Sequence, residues 1–143
     1  MNRSNSRTFS LFWIICLLQC CLLSCGYDSY LVGSSGASFE ELFVTAHDIL
    51  QIHYEFTEVD KKNGVLETQW FVVPNVDSFG SQRHRIRIQI LGDANGGASV
   101  YLRVDLESRE YDPLTRGVPD WIPAGRDPHQ EEVLLDQILK SVR

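Results

Sequence analysis

The chain begins with a segment whose pattern of polar and apolar residues differs from everything that follows it. Residues 2–7 are polar and carry two positive charges, and residues 9–25 are then almost unbroken apolar sequence. A positive start, a short apolar run and small residues at its end are typical of a secretion signal. The apolar run of 17 residues is at the short end of what spans a bilayer, so an uncleaved membrane anchor is the alternative.

Two later segments have apolar residues at helical spacing. The first covers about residues 39–50 and starts with a capping box formed by Ser38 and Glu41. The second begins at Asp127, where aspartate is the expected N-cap and Pro128 suits the first helical position. Each helix therefore has one apolar stripe that must be buried against another element.

Four segments between these helices alternate apolar and polar residues, as half-buried strands do. They are residues 52–57, 65–73, 83–91 and 100–107. Asn63-Gly64 predicts a tight turn between the first two strands, and a glycine-rich loop joins the last two. This order, α-β-β-β-β-α, predicts an α+β fold in which two helices pack on one face of a four-stranded antiparallel meander. Residues 108–126 contain three prolines and are expected to form an irregular loop.

The face of the meander that points away from the helices is expected to be strongly charged. Its outward residues are His53, Glu55, Glu67, Gln69, Arg85, Arg87, Tyr101, Arg103 and Asp105. One interpretation is a solvated ladder in which each cross-strand pair of opposite charges contributes about 0.2–1 kcal/mol. The other is a face that binds anions or carboxylates. Its arginines would be Arg83, Arg85, Arg87 and Arg103.

A short motif ends the apolar segment near the N-terminus. Leu22-Leu23-Ser24-Cys25 resembles the lipobox of bacterial lipoproteins. The resemblance implies that the signal is cut before Cys25 and that this cysteine is acylated, which anchors the protein in a membrane. Gly26, rather than aspartate, follows the cysteine. In lipoproteins this implies residence in the outer membrane, facing the periplasm.

The same motif divides the chain into three parts. Residues 1–24 would be a lipoprotein signal peptide, residues 25–37 a small, polar and flexible lipid tether, and residues 38–143 a single α+β domain. All four cysteines lie at or before position 25. The exported domain is therefore expected to have no internal disulfide and to depend on its hydrophobic core.

The distribution of charge limits the partners of that domain. Two of the 13 basic residues and none of the 19 acidic residues lie in the signal, so the remainder carries a formal net charge of −8. Such a domain is a poor candidate for binding nucleic acid or anionic lipid through its surface. Lipid on Cys25, rather than a basic patch, would hold it at the membrane.

The sequence has no recognisable motif for catalysis, metal binding or cofactor binding. It contains neither a Gly-x-Ser-x-Gly elbow nor a phosphate-binding loop. The histidines, which lack metal-ligand spacing, are His47, His53, His84 and His129. We therefore expect a protein that is not an enzyme and that uses no cofactor.

The segment before the last helix is the expected centre of partner binding. Tyr111, Arg116 and Trp121 lie there, and a tryptophan flanked by prolines is the kind of aromatic anchor found in interface hot spots. The alternative is that Trp121 closes one end of the core. The candidate partner-binding residues are therefore Trp121, Tyr111, Arg116, Arg85, Arg87 and Arg103.

The arrangement of lipidated cysteine, tether and helix–sheet–helix domain also resembles small accessory lipoproteins of bacterial outer-membrane assembly. The helix-grip domains in the C subunit of the β-barrel assembly machine are an example. The residues that carry this resemblance are the segment 64–70 and the arginine-rich strand from Arg83. The resemblance implies a scaffold or assembly accessory that binds another envelope protein. The alternative is a module that binds a small molecule or peptide in a pocket between sheet and helices, with Trp70 and Trp121 at its entrance.

Overall fold

The computed structural model describes residues 30–73, 80–110 and 120–142, which form seven strands and two helices. In chain order the elements are β1 (Leu31–Ser35), α1 (Phe39–Gln51), β2 (Phe56–Asp60), β3 (Val65–Thr68), β4 (Phe71–Val73), β5 (Gly80–Gly92), β6 (Ala98–Glu110), β7 (Ile122–Arg126) and α2 (Pro128–Ser141). The predicted α+β class is confirmed. Cys25 and the predicted signal peptide lie outside the described residues.

A long hairpin of β5 and β6 organises the sheet. Each of these strands has 13 residues, and they pair antiparallel along their whole length. The strand order is β1-β6-β5-β3-β2, while β4 pairs with the first part of β5 and β7 with the last part of β6. The predicted meander is present as β2, β3, β5 and β6, but it is only part of a seven-stranded sheet.

The core lies between the sheet and the two helices. Alternate residues of the central hairpin are buried on this side, and Ile86 pairs with Val104 and Ile88 with Leu102. The strand period of two places these side chains on one face. The two helices cover them, and the buried helix residues of the core are Leu42, Phe43, Ala46, Leu50, Leu134, Leu135 and Ile138.

Both helices begin where local chemistry predicts. The Ser38 hydroxyl accepts a hydrogen bond from the Glu41 backbone N–H, and the Glu41 carboxylate accepts one from the Ser38 backbone N–H. The Asp127 carboxylate accepts from the Gln130 backbone N–H at 3.0 Å, with Pro128 as the first residue of α2. These contacts satisfy backbone donors that the first helical turn leaves without partners.

The predicted first and second strands have wrong limits. Residues 52–55 do not belong to a strand, because α1 continues to Gln51 and the backbone N–H groups of His53 and Tyr54 both donate to the Leu50 carbonyl. The predicted strand over residues 65–73 is two short strands. They pair with separate parts of β5, residues 87–89 and residues 82–84.

The expectation that residues 25–37 form a flexible tether is wrong for Leu31–Ser35. These residues form β1, which pairs antiparallel with residues 98–102 of β6. Gly33 packs under α2, where a Cβ atom would come within 2.8 Å of side-chain carbons of Leu135 and Leu139. The small, polar composition suggested flexibility, but the backbone edge of β6 supplies hydrogen bonds that do not depend on side-chain type.

The expectation of an irregular loop over residues 108–126 is also wrong at both ends. Strand β6 continues to Glu110, and β7 pairs with it through residues 122–126, with a register shift between Leu106 and Glu107. Pro123 lies within β7. An edge strand tolerates proline because one side of its backbone needs no ladder hydrogen bond. Tyr111 and Arg116 lie outside the described residues.

Candidate functional site

The face of the sheet opposite the helices, called here the open face, carries a row of charged side chains from β5 and β6. In the register of the two strands Arg83 lies opposite Glu107, and Arg85 lies opposite Asp105. Both pairs form ion pairs, with Arg83 Nη2 at 2.6 Å from Glu107 Oε2 and Arg85 Nη2 at 3.4 Å from Asp105 Oδ2. The strand alternation therefore produces the opposite-charge ladder expected from sequence.

Asp105 is the centre of this ladder. Its carboxylate lies 2.6 Å from Arg103 Nε and 3.4 Å from nitrogen atoms of both Arg85 and Arg87. Only 8% of Asp105 is exposed. Glu67, on β3, lies 3.1 Å from Arg85 Nη1 and 3.1 Å from Arg87 Nε. Two carboxylates thus hold three guanidinium groups in place from two sides.

One cross-strand pair on the open face joins like charges. Arg87 lies directly opposite Arg103 in the β5–β6 register. Two positive charges at such a position are unfavourable in isolation. Both arginines contact Asp105, and Arg87 also contacts Glu67. The neighbouring carboxylates therefore screen the repulsion.

A second array, called here the arginine–tryptophan ladder, extends along the same face. The guanidinium carbon of Arg83 lies 4.7 Å from the ring centre of Trp70 and 4.5 Å from that of Trp121. Arg85 lies 4.7 Å from Trp70 on one side, and Arg109 lies 4.6 Å from Trp121 on the other. The order is Arg85, Trp70, Arg83, Trp121, Arg109. Each cation–π contact of this kind contributes about 0.5–1 kcal/mol at an exposed site and more when water is excluded.

Trp70 and Arg85 of the ladder, together with Asp105, border a cavity of about 530 Å³ on the open face. Its lining residues include Trp70, Arg85, Arg87, Arg103, Asp105 and Arg126. A second cavity, of about 260 Å³, is lined by Tyr30, Glu67 and Arg87 among others. Both cavities lie on the open face, whereas the sequence suggested a pocket between sheet and helices. That space is filled by the side chains of the core.

An ion pair at the edge of the sheet connects this cavity to helix α2. The carboxylate of Glu131 accepts hydrogen bonds from Arg126, with Arg126 Nε at 2.9 Å, and from the backbone N–H of Val104 at 2.9 Å. The hydrogen bond with Glu131 is the main cause that raises the pKa of Arg126. This contact orients Arg126 at one wall of the cavity.

A separate aromatic cluster lies on the helix side of the sheet. The ring of His84 lies 5.5 Å from that of Phe71 and 5.7 Å from that of Tyr54, measured between ring centres. Burial lowers the pKa of His84, and burial raises the pKa of Tyr54. Within the described residues, no group of three or more histidine, cysteine, aspartate or glutamate side chains is placed to hold a metal ion.

The sequence-predicted site residues divide into two groups. Arg85, Arg87 and Arg103 meet around Asp105, and Trp121 joins them through Arg83. The alternative that Trp121 closes the core is not what the structure shows, because its ring contacts Arg83 and Arg109 on the open face. Cys25, Tyr111 and Arg116 lie outside the described residues.

Sequence reasoning missed Arg109, Arg126 and Glu131. The alternation of β6 carries a signal for Arg109, because this residue continues the outward positions of the strand by one step beyond Glu107. Arg126 and Glu131 are close in sequence, and they meet because β7 ends beside the first turn of α2.

Comparisons with known proteins give no family for this chain. Neither the protein-family models nor the curated protein sequences contain a match to it. Among the residues that the structure describes, no helix has the length and apolar character needed to cross a membrane.

Proposed function

We propose that this protein is a lipid-anchored, non-enzymatic protein of the cell envelope that binds another envelope protein through the open face of its sheet. The observation that carries the proposal is the arginine–tryptophan ladder beside a cavity of about 530 Å³. The lipobox at Leu22–Cys25 supports the anchor. Acylated Cys25 would hold the domain at the outer membrane, facing the periplasm.

The chemistry of the ladder suits a protein partner. Tryptophan and arginine are enriched among the residues that dominate interface energies. Arg83 is held on both sides by indole rings and is bound to Glu107, so its side chain has already lost much of its freedom before a partner arrives. A surface that is ordered in advance loses less entropy on binding.

The length of chain between the anchor and the sheet restricts where the partner can be. Because Leu31 already belongs to β1, only residues 26–30 separate Cys25 from the folded domain. A fully extended chain of this length reaches about 20 Å. Tyr30 lines the second cavity together with Glu67 and Arg87, so the chain enters β1 beside the open face. The partner of an acylated protein would accordingly lie at the membrane surface.

Chemical cross-linking in membranes, followed by affinity purification, tests the proposal. We expect a membrane protein to be recovered with the unaltered chain and to be lost with Trp121→Ala. Val44→Ala is the matched control, because Val44 is 43% exposed on α1, on the helix side of the sheet. Thermal unfolding of both variants shows whether each is folded. Equal recovery with Trp121→Ala would contradict the proposed binding face.

Mass spectrometry of the membrane-extracted protein tests the anchor separately. We expect a chain that starts at Cys25 and carries acyl groups. A full-length chain with an unmodified Cys25 would contradict the lipid anchor but would leave the binding face to be judged by the cross-linking result.

The cavity also favours a second candidate function, the binding of a small molecule or peptide. Its volume of about 530 Å³ is in the range of ligand pockets, and its wall combines one aromatic ring with several charged groups. The position differs from the pocket expected from sequence, since the lining residues belong to the open face.

A further inference from the structure

We propose that the cavity on the open face binds a carboxylate group through the guanidinium groups of Arg85, Arg87 and Arg103. The inference rests on the proposed function, because the carboxylate group would belong to an acidic segment of the envelope partner. A free dicarboxylate has the same chemistry and is distinguished by experiment below.

The placement of Arg87 opposite Arg103 is the first argument. A like-charge pair in direct register costs stability, and here it stands at the centre of the face beside the cavity. Positions at which a sequence departs from the locally favourable choice are often those that serve binding. A sheet selected for stability alone would place an acidic or uncharged residue at one of the two positions.

The donor capacity and exposure of Arg85 and Arg87 are the second argument. Arginine has five N–H donors, so a guanidinium that contacts one carboxylate still has donors for another. The side chains of Arg85 and Arg87 are 23% and 34% exposed although both contact Glu67. An incoming carboxylate can therefore approach these two side chains from the cavity.

The wall of the cavity provides the third argument. Trp70 lines the cavity and lies against Arg85, which holds that guanidinium plane in a defined orientation. Planar guanidinium groups recognise a carboxylate through two parallel hydrogen bonds when their orientation is set. Each of the three arginines already contacts Asp105, so the ligand would share these groups with the resident carboxylate.

Arg87→Gln tests the site through binding rather than through stability. The substitution removes one partner each from Glu67 and Asp105 and also removes the like charge opposite Arg103. Glu67 keeps Arg85, and Asp105 keeps both Arg85 and Arg103. We expect a folded variant with weaker carboxylate binding.

The experiment uses the full chain, purified from membranes in neutral detergent. Its unfolding temperature is measured at increasing concentrations of glutarate or of a ten-residue glutamate peptide. A parallel series with sodium chloride at the same ionic strength is the control. A ligand that binds only the folded state raises the unfolding temperature in a saturable way. We expect this rise in the unaltered chain and an affinity at least about tenfold weaker in Arg87→Gln. Lys61→Gln, which removes an exposed positive charge paired with Glu40, is the matched control and should bind normally.

The two ligands distinguish the source of the carboxylate. Saturable binding of the peptide alone supports an acidic protein segment, and binding of glutarate as well supports a free dicarboxylate in the same site. No rise beyond the chloride control, or an equal response in Arg87→Gln, overturns the inference. Recovery of a partner that depends on Trp121 would then still stand, so the two failures are distinguishable.

Discussion

The carboxylate of Glu131 on α2 accepts hydrogen bonds from the guanidinium of Arg126 on β7, through both of its oxygens. Glu131 is 1% exposed, and one of its oxygens also accepts from the backbone N–H of Val104 on β6. A single buried carboxylate thus ties the first turn of α2 to two strands of the sheet. The same contact orients Arg126 at the cavity wall.

Replacing Glu131 by alanine is expected to lower the free energy of unfolding by about 2–4 kcal/mol. The variant removes the side-chain acceptor of the Val104 N–H and the Glu131 carboxylate that binds Arg126. Chemical denaturation measures the change. Glu132→Ala, at the exposed neighbouring position, is the control and should change stability by no more than about 0.5 kcal/mol. A similar small effect in both variants would show that the buried ion pair contributes little.

Gly64 is expected to be intolerant of alanine for two separable reasons. Its φ angle is +71°, and an added Cβ would lie 2.1 Å from the carbonyl oxygen of Ile90. Gly96 has a φ angle of +89° but has nothing within 4 Å of its Cβ position. We expect Gly96→Ala to cost about 1–2 kcal/mol, from backbone conformation alone, and Gly64→Ala to cost clearly more.

Urea denaturation of the two glycine variants gives the comparison directly. The free energy of unfolding that Gly64→Ala loses beyond the loss in Gly96→Ala measures the close contact with β5. At this contact the Gly64 carbonyl also accepts a hydrogen bond from the Ile90 N–H at 2.8 Å. An equal loss of unfolding free energy in the two variants would mean that the turn between β2 and β3 can move away from β5 without lowering stability.

His84 is expected to make the stability of the protein fall at mildly acidic pH. An unperturbed histidine has a pKa of about 6.5, and burial lowers the pKa of His84 in the folded protein. Tyr54 and Phe71 surround its ring, while the charge of Asp127 opposes the shift more weakly. Below pH 6.5 or so the unfolded chain therefore binds more protons than the folded one.

The sign of this effect follows from the direction of the shift. The stability that neutral His84 contributes is fully present at a pH above the pKa of this histidine in the unfolded chain. It is lost as the pH falls from there towards the lower pKa of His84 in the folded protein. Chemical denaturation at several pH values measures the slope. We expect His84→Phe to have a shallower slope than the unaltered protein, and the exposed control His53→Gln to keep it. An unchanged slope in His84→Phe would assign the pH dependence to other groups.

Local chemistry in the sequence determined the helices and the central hairpin. Ser38 with Glu41 and Asp127 with Pro128 mark helix starts through contacts within one turn, so a short segment contains the whole signal. Alternation likewise placed Ile86 in the core and Arg85 on the open face, because side chains of a strand point to opposite sides in turn. The convergence of Arg85 and Arg103 near one carboxylate follows from the same alternation once two strands pair.

Only the tertiary structure decided the edges of the sheet and the order of the ladder. Strand β1 forms in a segment that also contains Gly33, Ser34 and Ser35, because the pairing joins backbone groups that all residues except proline share. Trp70, Arg83 and Trp121 meet although they are far apart along the chain. Their contact depends on how β4 and β7 dock against opposite sides of one hairpin, and no short segment of sequence encodes that arrangement.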